Sequence, residues 1–212
     1  MIISHKFKFI FIKTTKTAGT SIEVALNEFS GPSDIATTIY PAEPGHTPKN
    51  FMVGGSSDSP FELRNHMGIS QLEGVIDDKI INDYFKFCVE REPVDKCISH
   101  YCMQKNSSYH NQGNESLTWK DYVRRGAFPI DSNKYTDGNG NLLVNAILRY
   151  EDLDNQLRDI LPRLGVGDFQ LWPEAKSGYR QGVNYTANDV EKIYAQFKES
   201  LSVTPYDKPK PF

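Results

Sequence analysis

The first strong hydrophobic pattern covers residues 7–13, where apolar side chains occupy both faces of an alternating stretch. Phe7, Phe9 and Phe11 fall on one face, and Ile10 and Ile12 fall on the other. Apolar residues on both faces are typical of a central parallel strand that helices cover on each side. Residues 22–29 then have helical spacing and end before Gly31, so the pattern predicts a strand, a loop of small residues and a helix.

The rest of the chain alternates predicted strands with predicted helices. Further strands are predicted at residues 85–89 and 146–150, and further helices at residues 94–105, 118–125, 153–164 and 186–201. A capping-box pattern at residues 70–73 predicts one more helix start. This alternation favours a single α/β domain over residues 1–212, a three-layer sandwich with a mostly parallel central sheet flanked by helices.

Composition limits the partners that the chain as a whole can attract. A net charge of −3 gives no overall attraction for nucleic acid or an anionic membrane, so any anion site must be built locally. Three cysteines without the spacing of a metal site predict free thiols in a reducing compartment. Lysines interrupt the apolar run at the amino terminus, and no stretch of about 18 apolar residues occurs, so we expect no signal peptide, no membrane span and a cytoplasmic location.

The loop after the first strand, Lys16-Thr-Ala-Gly-Thr-Ser21, has the chemistry of an anion site. A helix that begins directly after a strand presents unpaired N–H groups and a partial positive charge, which together favour phosphate. Gly19 lets the backbone approach an anion, and Lys16 adds a full charge. The unit is P-loop-like but is not a Walker A loop, because Lys16 precedes Thr20 by four positions. A Thr-rich connection with a helix cap and a solvated lysine is the alternative interpretation.

A second cationic residue stands at the end of the next predicted strand. Arg91 follows residues 85–89, and Ser99 lies eight positions later on the helix that begins at Pro93. Ligands of α/β proteins bind at the carboxyl ends of the strands, so we expect Arg91 and Lys16 to face one crevice. An arginine fork and a helical hydroxyl suit a phosphate dianion. The alternative is an ion pair between Arg91 and a neighbouring acid, namely Glu90, Glu92 or Asp95.

Together these motifs resemble the sulfotransferases that use 3′-phosphoadenylyl sulfate (PAPS) as donor. The resemblance is closest to the carbohydrate 2-O- and chondroitin-type branch and its bacterial relatives. It rests on Lys16 with Thr20 and Ser21 after one strand, and on Val89, Arg91, Pro93 and Ser99 after another. Residues 147–153, with the helix that follows, also resemble the later core of that family.

The resemblance implies a donor site and a transfer mechanism without a metal. The segment of residues 16–21 would hold the 5′-phosphosulfate through Lys16, Thr17, Ala18, Gly19, Thr20 and Ser21. Arg91 and Ser99 would hold the 3′-phosphate. Lys176 and Arg180 would cover the nucleotide, although a charged surface loop has the same composition. Lys16 would also be catalytic, because its charge stabilises the leaving oxygen as adenosine 3′,5′-bisphosphate departs.

His66 is the candidate general base for the acceptor. It lies 25 positions before Arg91, which resembles the place where the family has a catalytic histidine, and its ordinary pKa suits the task. A loop histidine that binds a backbone carbonyl is the alternative. His100 is expected to be structural, because the helix turns it about 100° away from Ser99. Glu92 departs from the family, which usually has a neutral residue there, and strand alternation directs Glu90 away from Arg91.

The acceptor is predicted to be a small molecule or a carbohydrate with a hydroxyl or amine group. Residues 31–65 and 106–134 are predicted acceptor-side insertions, and residues 203–212 form a Pro-rich tail. Two other functions share the strand–loop–helix unit. One is a P-loop-like nucleotide or small-molecule kinase, against which the missing Gly-Lys-Ser/Thr argues. The other is a non-catalytic module that binds a phosphorylated ligand.

Overall fold

The computed structural model describes residues 1–54, 60–111, 113–171 and 181–211. The strands in these ranges are β1 (Ile2–Ser4), β2 (Phe9–Phe11), β3 (Ile35–Ala36), β4 (Met52–Val53), β5 (Phe61–Glu62), β6 (Phe85–Glu90) and β7 (Ala146–Arg149). The helices are α1 (Gly19–Asn27), α2 (Asp78–Asp83), α3 (Pro93–Asn106), α4 (Trp119–Arg125), α5 (Ser132–Tyr135), α6 (Leu153–Arg163), α7 (Ala187–Gln196) and α8 (Lys198–Val203).

The main sheet is mixed and has the strand order β3-β1-β2-β6-β7. Strands β2, β6 and β7 are parallel neighbours, whereas β1 pairs antiparallel with both β2 and β3. The expectation of a mostly parallel sheet therefore holds only for its second half. The reason lies before residue 9, where Lys8 has a left-handed backbone (φ 55°) and belongs to the turn of a β1–β2 hairpin.

Apolar side chains are buried on both faces of this sheet, as the pattern at residues 7–13 predicts. Phe9 and Phe11 pack with residues of α1 and α6 on one face. Ile10 and Ile12 pack on the other face with Leu72, Tyr135 and their neighbours. A third apolar cluster lies between α3, α4 and α7. The protein is therefore α/β, with helices flanking the sheet, and is compatible with a three-layer sandwich.

Several predicted elements are confirmed, and others differ. The strands at residues 85–89 and 146–150 and the helices α1, α3, α4 and α6 occur close to their predicted bounds. The predicted last helix is broken at Phe197 into α7 and α8. The capping-box prediction at residues 70–73 is wrong: a single 3₁₀ turn, Ile69–Gln71, stands there, and Gly74 has a left-handed φ of 70°. The next helix, α2, begins at Asp78, four residues after Gly74, and Asp77 caps it.

The carboxyl-terminal segment packs against the end of β7 and against α7. Arg149 donates a hydrogen bond to the carbonyl of Pro205, and the hydroxyl of Tyr194 donates to the carbonyl of Asp207 at 2.7 Å. A cavity of about 230 Å³ beside β7 is lined by this segment and holds none of the predicted site residues that the structure describes. Within the described ranges, every helix is too short or too polar to cross a lipid bilayer.

Candidate anion-binding site at the strand ends

The first loop (residues 12–18) joins β2 to α1, and the first turn of α1 has no side-chain cap. Lys16 and Ala18 both have left-handed backbones, with φ of 62° and 59°. This conformation costs about 1–2 kcal/mol for a residue with a Cβ, and such strain is common where a loop binds a ligand. Ala18 is the N-cap of α1, and no described side chain caps that helix. The first N–H groups of α1 therefore keep the polarity that an anion can use.

The hydroxyl groups of the first loop hold the loop together. Thr17 is fully buried, and its Oγ1 lies 2.8 Å from that of Thr14, which in turn bonds to the carbonyl of Val89 on β6. Thr20 and Ser21 are also buried, with 8% and 5% of their surface exposed. The side chain of Thr17 therefore ties the loop to the sheet and is not directed at a ligand.

Position 19 must be glycine because the side chain of Lys13 fills the space that a Cβ would occupy. A Cβ at this position would lie 2.5 Å from Cγ of Lys13. Lys13 is itself buried, and its Nζ lies 2.6 Å from the carboxylate of Glu23 on α1. Burial raises the pKa of Glu23, but the ammonium groups of Met1 and Lys13 outweigh that effect and hold the pKa below its ordinary value. The charge of Lys13 is thus balanced internally, whereas Lys16 is half-exposed.

Arg91 contacts the first loop directly. Its Nη1 donates to the carbonyl oxygen of Lys16 at 3.0 Å, and its Nε and Nη2 lie 2.6 and 2.5 Å from the carboxylate of Asp95. The guanidinium carbon lies 3.9 Å from the centre of the Tyr150 ring, which follows β7. Only 4% of Arg91 is exposed, and these bonds to described residues use three of its five N–H groups.

The acids near Arg91 have separate roles. Asp95 forms the ion pair that was the alternative interpretation, and it orients the guanidinium. Glu92 caps α3 by accepting the N–H groups of Val94 and Asp95 at 2.9 and 2.7 Å, and burial raises its pKa. Glu90 lies in the buried interior, where Lys96 binds its carboxylate. The acid at position 92, where the sulfotransferases that the motif resembles usually have a neutral residue, is therefore a helix cap.

Ser99 lies one helical turn beyond Asp95, so the two residues share a face of α3. Ser99 is half-buried on that face.

A separate cavity of about 330 Å³ opens where the first loop meets the end of β7, and Ala18, Ser21, Tyr150 and Leu171 are among its lining residues. Its volume falls within the range of small-molecule sites. Lys176 and Arg180, which were predicted to cover the nucleotide, lie outside the described residues.

His66 stands beside the start of the first loop. Its Nδ1 lies 3.1 Å from the carbonyl oxygen of Lys13. A carbonyl oxygen only accepts, so Nδ1 carries the proton and Nε2 has the lone pair. Burial lowers the pKa of His66 to about 4, helped by the charges of Lys13 and Lys134. The histidine is therefore neutral at pH 7, and the carbonyl contact that was the alternative interpretation also fixes its tautomer.

His100, which was expected to be structural, is influenced by the charge of Lys16. Its Nδ1 lies 3.0 Å from the hydroxyl of Tyr122, and its pKa falls to about 4, mainly through burial and then through the charge of Lys16. The sequence carried no signal for this influence, nor for the contact of Tyr150 with Arg91. A helix position and a strand end identify neither partner until the elements are packed together.

No family model matches this chain, and no curated protein sequence matches it. A functional assignment for the chain is therefore carried by its residues and their geometry.

Proposed function

We propose that this protein is a sulfotransferase that moves a sulfuryl group from PAPS to a hydroxyl or amine group of an acceptor. The observation that carries the proposal is the 3.0 Å hydrogen bond from Arg91 to the carbonyl of Lys16. It joins the carboxyl ends of β2 and β6 at one edge of the sheet, where a nucleotide with two phosphate groups can contact both. Ligands of parallel α/β sheets bind at this edge.

The donor would be held at both of its phosphate positions. The uncapped start of α1, from Ala18 to Ser21, would receive the 5′-phosphosulfate as a P-loop-like unit does. The remaining N–H groups of Arg91 and the hydroxyl of Ser99 would receive the 3′-phosphate. Asp95 and Tyr150 support this assignment, because they fix the plane of the guanidinium before a ligand arrives.

The transfer would proceed by in-line displacement, with positioning and charge stabilisation as the main contributions. A bond forms between the acceptor oxygen and sulfur as the bond from sulfur to the bridging oxygen breaks. Lys16 stabilises the negative charge that develops on the bridging oxygen. The acceptor proton passes to Nε2 of His66. With a pKa of about 4, His66 is a weak base, so this transfer occurs late, when bond formation has made the acceptor proton acidic.

A thermal-shift comparison tests the proposed donor. Adenosine 3′,5′-bisphosphate at about 100 times its dissociation constant should stabilise the protein by about 2.7 kcal/mol, which corresponds to roughly 5–10 °C in Tm for a chain of this size. Adenosine 5′-monophosphate is the matched control, because it lacks the 3′-phosphate, and it should give a much smaller shift. A preference for Mg-ATP would indicate a kinase, and no response to any nucleotide would contradict the proposal.

Replacing Arg91 by alanine should weaken bisphosphate binding by about 1.5–3 kcal/mol, the range for a hydrogen bond to a charged group. The change can be measured by titration calorimetry. Arg149→Ala is the matched control: Arg149 ends the adjacent strand and packs on the Tyr206 ring, at 4.5 Å, on the side of the carboxyl-terminal segment. The control should keep the wild-type dissociation constant. An Arg91 variant with unchanged affinity would remove this residue from the site.

A further inference from the structure

A buried charge network (Glu90, Lys96, Asp131 and Lys134) lies against the first loop. Lys96 is fully buried, and its Nζ lies 2.8 Å from a carboxylate oxygen of Glu90 and 2.8 Å from one of Asp131. Asp131 is 1% exposed and also forms an ion pair with Lys134. Two cations therefore balance two carboxylates. Burial raises the pKa of Asp131, but the two lysines outweigh it and keep the carboxyl ionised.

Asp131 also binds the first loop at two points. One carboxylate oxygen accepts the backbone N–H of Thr15 at 2.7 Å, and the other accepts the hydroxyl of Thr15 at 3.0 Å. Lys16 follows directly and has a left-handed backbone, with φ of 62°. A residue in that unfavourable conformation keeps it only when its surroundings hold it there. The bonds to Thr15 hold the loop one residue before this point.

Stability alone does not account for this arrangement. Apolar side chains of similar volume usually stabilise a core as well as a buried ion pair does, because they avoid the desolvation of charge. The two acceptor bonds to Thr15, by contrast, need a carboxylate in this place. Asp131 lies in the segment of residues 106–134 and is 116 positions away from Thr15 in the sequence.

We propose that Asp131 is a positioning residue for the first loop. By holding Thr15 through its N–H and its hydroxyl, Asp131 fixes the backbone at Lys16 and the direction of the loop N–H groups that face the donor. This role rests on the proposed function, because it concerns the loop that receives the 5′-phosphosulfate.

The test is a double-mutant cycle with adenosine 3′,5′-bisphosphate as the probe. Asp131→Asn should weaken its binding about tenfold, and Thr15→Val about threefold. The double variant should bind no more weakly than Asp131→Asn, because the hydroxyl of Thr15 acts through Asp131. In the ligand-free protein, Asp131→Asn should also speed hydrogen exchange at the Thr15 amide, measured by NMR.

Tyr135→Phe is the matched control, since the hydroxyl of Tyr135 bonds to Glu90 at 2.9 Å and belongs to the surroundings of the same network. It should lower Tm without changing bisphosphate affinity. Wild-type affinity and wild-type Thr15 exchange in Asp131→Asn would overturn the role, and so would strictly additive effects in the cycle or an equal loss of affinity in Tyr135→Phe. A wild-type protein that binds no bisphosphate would instead reject the proposed function, and this role with it.

Discussion

Lys16→Ala is expected to lower the rate of sulfuryl transfer by about 10²–10³-fold, with less than about a tenfold loss of bisphosphate affinity. The asymmetry follows from the chemistry, because negative charge accumulates on the bridging oxygen only as the sulfuryl group departs. A cation at that oxygen stabilises the transition state more than the bound donor. Lys13, another cation near the loop, is held by Glu23 at 2.6 Å and does not replace Lys16.

The rate can be measured as the release of labelled sulfuryl groups from PAPS, to water and to a panel of hydroxyl and amine acceptors. Lys8→Ala is a matched control, since Lys8 is an exposed lysine with a left-handed backbone (φ 55°) at the opposite end of β2. It removes the same side chain from a similar conformation and should leave transfer unchanged. A Lys16 variant that loses affinity and keeps its turnover would show that Lys16 binds the donor without assisting the chemistry.

The parts of the fold that the sequence predicts are those with a local signal. The alternation at residues 7–13 distinguishes the two faces of β2, and both faces are buried. Thr118 and Gly126 bracket α4 as its cap and its left-handed end. The antiparallel β1 could not be predicted in the same way. Its pairing with β2 depends on a turn around Lys8, and that turn was not predicted because it overlaps the apolar run that was interpreted as one strand.

The same distinction between local signals and tertiary packing applies to the candidate site. Lys16 and Arg91 were identifiable because each follows a strand with a local motif. Among the contacts of Arg91, the ion pair with Asp95 was also visible in the sequence, but the contact with Tyr150 was not, and neither was the contact of Asp131 with Thr15, because both depend on tertiary packing over long sequence separations. Gly19 shows a further limit: a glycine in an anion-type loop suggested close approach of a ligand, whereas the side chain of Lys13 fills that space. A local motif is therefore a poor guide to the tertiary contacts of its own residues.

Lys96→Met is expected to destabilise the folded protein by about 3–5 kcal/mol, the cost of removing one partner from a buried ion pair. Methionine has a similar length and fills the space, so the main loss is electrostatic. Glu90 keeps its hydrogen bond from Tyr135 but loses its cation, while Asp131 retains Lys134. The free energy of unfolding can be measured by urea denaturation. Lys192→Met, an exposed change on α7, should stay within about 0.5 kcal/mol of wild type.

The pH dependence of this variant shows whether the loss is electrostatic. The pKa of Glu90 is already raised in the folded protein, chiefly by burial, and removal of Lys96 raises it further. A group with a raised folded-state pKa takes up its proton on folding, so its folded form gains stability as the pH falls. The deficit of Lys96→Met relative to wild type should therefore shrink between pH 8 and about pH 5, and adding Glu90→Gln should recover part of it at pH 8. A deficit that is constant with pH and unaffected by Glu90→Gln would mean that Lys96 acts by packing alone.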